Sequence, residues 1–196
     1  KGCNMAKLLA FSGSLRAGSY NQTALKEAVK GAESAGAEVT VVELNDYIAP
    51  LFSEDIEADS GIPAQAQAFK DLMIAHDGIL LASPEYNGCF TAALKNALDW
   101  ASRATGDEPM MAAFRGKSAV LMAASPGALG GMRGLAMTRT LLAQLGMTVH
   151  ATQLTLGKFT TLLDAAGNLV DEKAIEKCHK HGALAAAFTA SFSQNS

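Results

Sequence analysis

The sequence predicts an α/β protein, a three-layer sandwich in which a doubly wound, five-stranded parallel sheet lies between two layers of helices. Five short apolar runs carry that prediction: Leu8–Phe11, Val39–Leu44, Gly78–Ala82, Ala119–Ala123 and Val149–Leu156. They are nearly continuous rather than alternating, as parallel strands covered on both faces require. Helical periodicity separates and follows them, near 22–35, 64–76, 90–103, 132–146 and 172–190, so strand and helix alternate throughout. The 196 residues show no repeats and no low-complexity linker, which suits one domain over 1–196 with 1–6 as a loose tail. Met5-Ala6-Lys7 reads as a natural start, which marks Lys1–Asn4 as an addition before it.

The first strand runs into Ser12-Gly13-Ser14-Leu15-Arg16-Ala17-Gly18-Ser19-Tyr20-Asn21 and then into the helical pattern Ala24, Leu25, Ala28, Val29, Ala32. A small-residue loop feeding a helix N-terminus is a ready anion site, because free backbone N–H groups and the positive end of the helix dipole converge there. Ser14, Ser19 and Asn21 add hydroxyl and amide groups, and Arg16 adds a guanidinium that forks onto a phosphate. These residues point to a terminal phosphomonoester. Gly13 and Gly18 have the spacing of a Walker A loop, but Ser19-Tyr20 stands where Lys and Ser/Thr are needed, which argues against ATP or GTP hydrolysis. The G-x-G-x-x-G dinucleotide fingerprint is missing as well, which leaves Glu43, after the second strand, without the glycines that would make it a ribose ligand.

The connection Asn45–Pro63, with Pro50, Asp55, Asp59 and Gly61, reads as a surface loop. The third strand ends in Ser83-Pro84-Glu85-Tyr86-Asn87-Gly88. Pro84 stops the ladder and Asn87-Gly88 makes a turn, so Glu85 and Tyr86 stand just above the sheet. An aromatic flanked by backbone amides suits a flat heterocycle, although a plain strand-ending turn would look the same. The next helix carries Phe90, Leu94, Ala97, Leu98 and Ala101 on one face; Trp100 belongs to core or interface, and Lys95 and Asp99 to a surface ion pair. After the fourth strand comes Ala124-Ser125-Pro126-Gly127-Ala128-Leu129-Gly130-Gly131. Ser125 stands where a hydrolase nucleophile would, but Pro126 lacks the N–H that the oxyanion hole takes from that position. The glycines instead let a ligand approach the backbone.

Composition narrows the class further. A net charge of −3 and a sequence pI near 5.8 argue against nucleic acid or an anionic membrane as partner. No apolar run reaches the ~20 residues that span a bilayer. Cys3, Cys89 and Cys178 have no metal spacing and suit a reducing, cytoplasmic setting. His179 and His181 are two apart on a helix and do not share a face, which speaks against zinc; His76 and His150 read as structural and the eight methionines as packing.

Taken together, Gly13-Ser14-x-Arg16-x-x-Ser19-x-Asn21, Pro84-Glu85-Tyr86-Asn87 and Leu94-Lys95-Asn96-Ala97-Leu98-Asp99-Trp100 resemble the NADPH-dependent FMN reductases, a flavodoxin-like group that includes quinone, chromate and azo-dye reductases. The resemblance runs from about Lys7 to the last helix and takes in Pro50-Leu51-Phe52. It implies that Ser14, Arg16, Ser19 and Asn21 hold the FMN phosphate, with Leu15 and Tyr20 between them among the cofactor-binding residues. Pro84, Glu85, Tyr86, Asn87 and Gly88 would line the isoalloxazine, and Ser125 and Gly127 would border it. It further implies NADPH or NADH as co-substrate, a ping-pong transfer of hydride to a small-molecule acceptor, and no catalytic side chain, since the flavin carries the chemistry. Tyr86 and Arg133 are expected to shape the acceptor pocket. A homodimer or homotetramer packed through the helices after the second and third loops is implied too. Two alternatives remain on the same fold: a flavodoxin-type single-electron carrier and a flavin-free binding domain.

Overall fold

The computed structural model describes residues 5–193; the expected addition Lys1–Asn4, including Cys3, lies outside them. Strands β1 (Lys7–Ser12), β2 (Glu38–Val42), β3 (Gly78–Ala82), β4 (Ser118–Ala124), β5 (Thr148–Val149) and β6 (Leu154–Leu156) pair in parallel throughout, in the order β2-β1-β3-β4-β5 with β6 also on β4. The five strand positions are those expected; the fifth, however, is filled by two short pieces. His150–Gln153 leave the ladder between them, four residues opposite Val120 and Leu121 of β4. Such bulges concentrate at sheet edges, and the Leu121 carbonyl this one strands accepts a hydrogen bond from His181 Nε2 at 2.9 Å instead.

Among the described residues six α-helices complete the layers: α1 (Tyr20–Ser34), α2 (Glu54–Ser60), α3 (Ala64–Ala75), α4 (Ala92–Ala101), α5 (Met132–Gln144) and α6 (Glu172–Ser193). Alternate strand residues feed two cores. Leu8, Ala10, Leu80, Val120 and Met122 meet α1 and α6; Leu9, Phe11, Ile79, Leu81 and Leu121 meet α3, α4 and α5. Helices α1 and α6 cross backbone to backbone: a Cβ at Gly182 would strike the Ala28 carbonyl, and one at Gly31 the His179 carbonyl. Ala6, at the end of the expected tail, is buried in the first core and accepts from the Glu38 amide.

The connection expected to be a surface loop over Asn45–Pro63 holds a 3₁₀ turn, Leu44–Tyr47, at its start and helix α2 near its end. Glu54–Ser60 shows no apolar periodicity and buries no residue. What makes it helical is local: the Ser53 hydroxyl caps the Asp55 amide, three acids occupy the first turn, and Gly61 stops it at φ 75°. Asn96 of α4 then pins the segment before α2, donating to the carbonyls of Ala49 and Pro50 and accepting from the Phe52 amide. Trp100 is fully buried beneath it and donates to the Pro50 carbonyl at 2.8 Å.

Candidate functional site

Because β1 is flanked by β2 on one side and β3 on the other, the chain leaves it in opposite directions and a crevice opens beyond the carboxyl ends of β1 and β3. A cleft of about 220 Å³ lies there. Ser14, Arg16, Ser19, Tyr20 and Asn21 line it from the first loop, Pro84, Glu85 and Tyr86 from the second, and Ser125 from the third. Ala124 and Pro126 join them, unanticipated; they flank Ser125, and their position on the wall depends on where β4 ends. Leu15 turns away and lines an adjoining apolar cavity with Tyr47, Leu51 and Ala92, while Asn87, Gly88 and Gly127 lie outside the cleft wall.

The first-loop end of the cleft gathers unpaired hydrogen-bond donors and one cation. The Ser14 hydroxyl accepts from the Arg16 amide at 3.3 Å, and the Ser19 hydroxyl caps α1 by accepting from the Gln22 amide at 3.4 Å. Both hydroxyls therefore keep their own proton to donate. The amides of Tyr20 and Asn21, in the first turn of α1, have no protein partner among the described residues. The exposed Arg16 guanidinium lies 4.7 Å above the Tyr20 ring and forms no ion pair with any of the described residues. Two hydroxyl donors, two helix amides and an uncompensated guanidinium fit a dianionic phosphomonoester.

Asn21 has a further duty that sequence alone did not disclose. Its side chain is buried, donating to the Ala124 carbonyl and accepting from the Ala124 amide, both at 3.0 Å. It thereby ties the start of α1 to the last residue of β4, 103 positions away. Glu43 instead accepts from Gln22 Nε2 at 2.7 Å.

At the other end, Tyr86 and Cys89 exchange backbone hydrogen bonds of 2.8 and 3.1 Å around Asn87-Gly88, whose φ values of 53° and 81° make the tight turn expected. The turn holds Tyr86 53% exposed, and the amides of Glu85, Asn87 and Gly88 have no protein partner among the described residues. A flat heterocycle needs such donors along its edge. Glu85 is engaged with Arg133 rather than open to the cleft: Arg133 Nε donates to Oε1 at 2.8 Å and Nη2 pairs with it at 2.5 Å. Burial pushes the Glu85 carboxyl up, but hydrogen bonds from Gly134 and Arg133 outweigh it and hold the group below the usual carboxylate range. Ser125 faces no base; its hydroxyl turns to the Gly127 carbonyl and no histidine lines the cleft. Among the described residues, no cluster of three His, Cys, Asp or Glu side chains is arranged to hold a metal, and no helix is long and apolar enough to cross a membrane.

Residues 6–161 match the family model described as NADPH-dependent FMN reductase. An NAD(P)H-dependent FMN reductase of Pseudomonas aeruginosa is 37% identical over 87% of this chain and 88% of its own. A quinone reductase of Pseudomonas putida is 35% identical over 82% of each. The solved structure of a Paracoccus denitrificans flavoenzyme, an NAD(P)H:(acceptor) oxidoreductase, superposes with a TM-score of 0.80 at 25% identity, over 96% of this chain and 99% of that one. Fold, cleft and relatives agree, and the chain belongs to the NADPH-dependent FMN reductase family, oxidoreductases that use FMN and NAD(P)H.

Proposed function

We propose that the protein reduces a quinone-type small molecule with NAD(P)H in a ping-pong scheme on FMN held in the cleft between the first three strand-end loops. The observation that carries this reading is the first-loop end, where an unpaired Arg16 converges with two hydroxyl donors and two free helix amides. Ser14, Arg16 and Ser19 would bind the phosphate, and Asn21 would keep the α1 end of the loop against β4. The Glu85 amide would orient the ring edge. The chemistry that FMN supplies when bound is hydride relay from NAD(P)H to the acceptor in two half-reactions at one ring face. The chain itself then needs no acid or base; Tyr86, half-exposed, shapes the open face.

The quinone reductase relative supports that acceptor class. An assembly of two or more copies fits the exposed Met132 and Met137 on α5, and a reducing, cytoplasmic setting fits free Cys89 and Cys178. The test is an absorbance spectrum of FMN-reconstituted protein under argon before and after NADPH. Flavin bands that bleach within the mixing time and return on adding benzoquinone support the reading. Bands that persist with both NADPH and NADH, yet give a semiquinone with dithionite, would replace it with single-electron carriage. Light scattering that gives only a 20 kDa species would remove the assembly.

A further inference from the structure

We infer that Glu85 is a positioning residue that sets the gap between the second and third loop walls of the cleft, by clasping the N-terminus of α5 from the opposite loop. The inference rests on FMN occupying that cleft.

Helix α5 has no cap of its own. Its N-cap is Gly131, at φ 90°, and no acid lies in its first turn. By contrast, Ser19, Ser53 and Thr91 cap α1, α2 and α4 locally. The orphan amides of α5 are met from outside: Arg133 N and Gly134 N both donate to Glu85 Oε2 at 3.1 Å. Together with the guanidinium on Oε1, one carboxylate answers the helix dipole and the Arg133 charge at once. The Glu85 side chain is only 9% exposed whereas that of Arg133 is 65% exposed, so the glutamate is the fixed member of the pair. Behind the clasp the two walls touch. A Cβ at Gly134 would lie 3.0 and 3.1 Å from Glu85 Cβ and Cα and 3.2 Å from the Cys89 carbonyl.

Two consequences follow for a ring lying between Pro84–Tyr86 and Ala124–Pro126. The Glu85 carboxylate joins the Ser83–Thr138 hydroxyl contact in holding the gap it enters, so losing the carboxylate loosens the slot. The carboxylate also balances two positive features at the slot's border, Arg133 and the α5 N-terminus. A ring that gains negative charge on reduction would be favoured by their exposure.

The test compares wild type with E85Q, E85A and E85Q/R133Q by FMN fluorescence titration, by the flavin midpoint potential, and by amide exchange at Arg133 and Gly134 in the flavin-free protein. E85Q keeps an oxygen that accepts from the α5 amides and serves if E85A does not fold. In E85A the FMN Kd is expected to rise about tenfold, with faster exchange at both amides. In E85Q the potential is expected to move positive, and to move back in E85Q/R133Q; a bystander that only stabilises the fold would leave the potential where it was. Wild-type affinity and potential in both single variants would overturn the clasp while leaving flavin binding intact. No FMN binding by wild type would overturn the flavin reading itself, and the clasp with it.

Discussion

His181 makes acid stability a quantitative prediction. Its ring is 5% exposed on α6, and Nε2 donates to the Leu121 carbonyl at the break in the edge strand. Leu121 O is only an acceptor, so Nε2 carries a proton in either charge state. Burial, aided by the nearby His150 and opposed by the hydrogen bond to Leu121, pushes its pKa down from 6.5 to about 4. Lys177 and Lys180, which line the same surface cavity, add no compensating negative charge. The folded-state pKa lies below the unfolded one, so the unfolded chain binds the extra proton between them. The stability is therefore complete above pH 6.5 and is lost as pH falls towards 4. At about 1.4 kcal/mol per unit the whole window is worth about 3 kcal/mol, and the step from pH 7 to pH 5 about 2 kcal/mol. Urea unfolding of the protein at both pH values measures it. His181→Gln keeps a neutral donor for Leu121 and should remove about 2 kcal/mol of that pH 7-to-5 difference. Glu27, whose carboxyl is held low by Lys30 and His179 against its own burial, acts below its ordinary value of 4.5 and stays outside this step. Equal pH dependence in wild type and His181→Gln would refute the reasoning.

Three further outcomes follow from the geometry. Arg16→Ala should weaken FMN binding by about 1.5–3 kcal/mol, roughly 10- to 150-fold in Kd by fluorescence titration, with unchanged thermal stability of the flavin-free protein, because Arg16 is exposed and unpaired. Unchanged affinity would locate the phosphate elsewhere. Asn21→Ala strips both partners from the buried Ala124 backbone and should cost about 2–3 kcal/mol in urea unfolding even without flavin; a neutral result would mean the strut is replaced by water. Gly182→Ala forces α6 off the Ala28 carbonyl and should cost about 3 kcal/mol, lowering Tm by about 6–12 °C. A melt within a degree of wild type would show that the two helices separate freely.

What the sequence determines by itself is what depends on neighbours along the chain. Continuous apolar runs mark strands buried on both faces, and β3 falls at Gly78–Ala82 as read. The small-residue loop before α1, with Ser19 as its cap, and the Asn87-Gly88 turn are equally local, since caps and positive φ values are set by a few adjacent residues. Helix α2 was hidden because it buries nothing, although Ser53, its acids and Gly61 signalled it. The tertiary structure decided everything that joins distant segments. Strand order brings the β1 and β3 loops side by side. Asn21 reaches Ala124, Glu85 reaches Arg133 and Gly134, and His181 reaches Leu121. Each of these polar side chains has, in the sequence, the appearance of a ligand group or a surface residue. Its actual partner is a backbone group left unmet by a strand end, a bare helix N-terminus or a broken edge, and such vacancies exist only once the sheet and helices have been assembled.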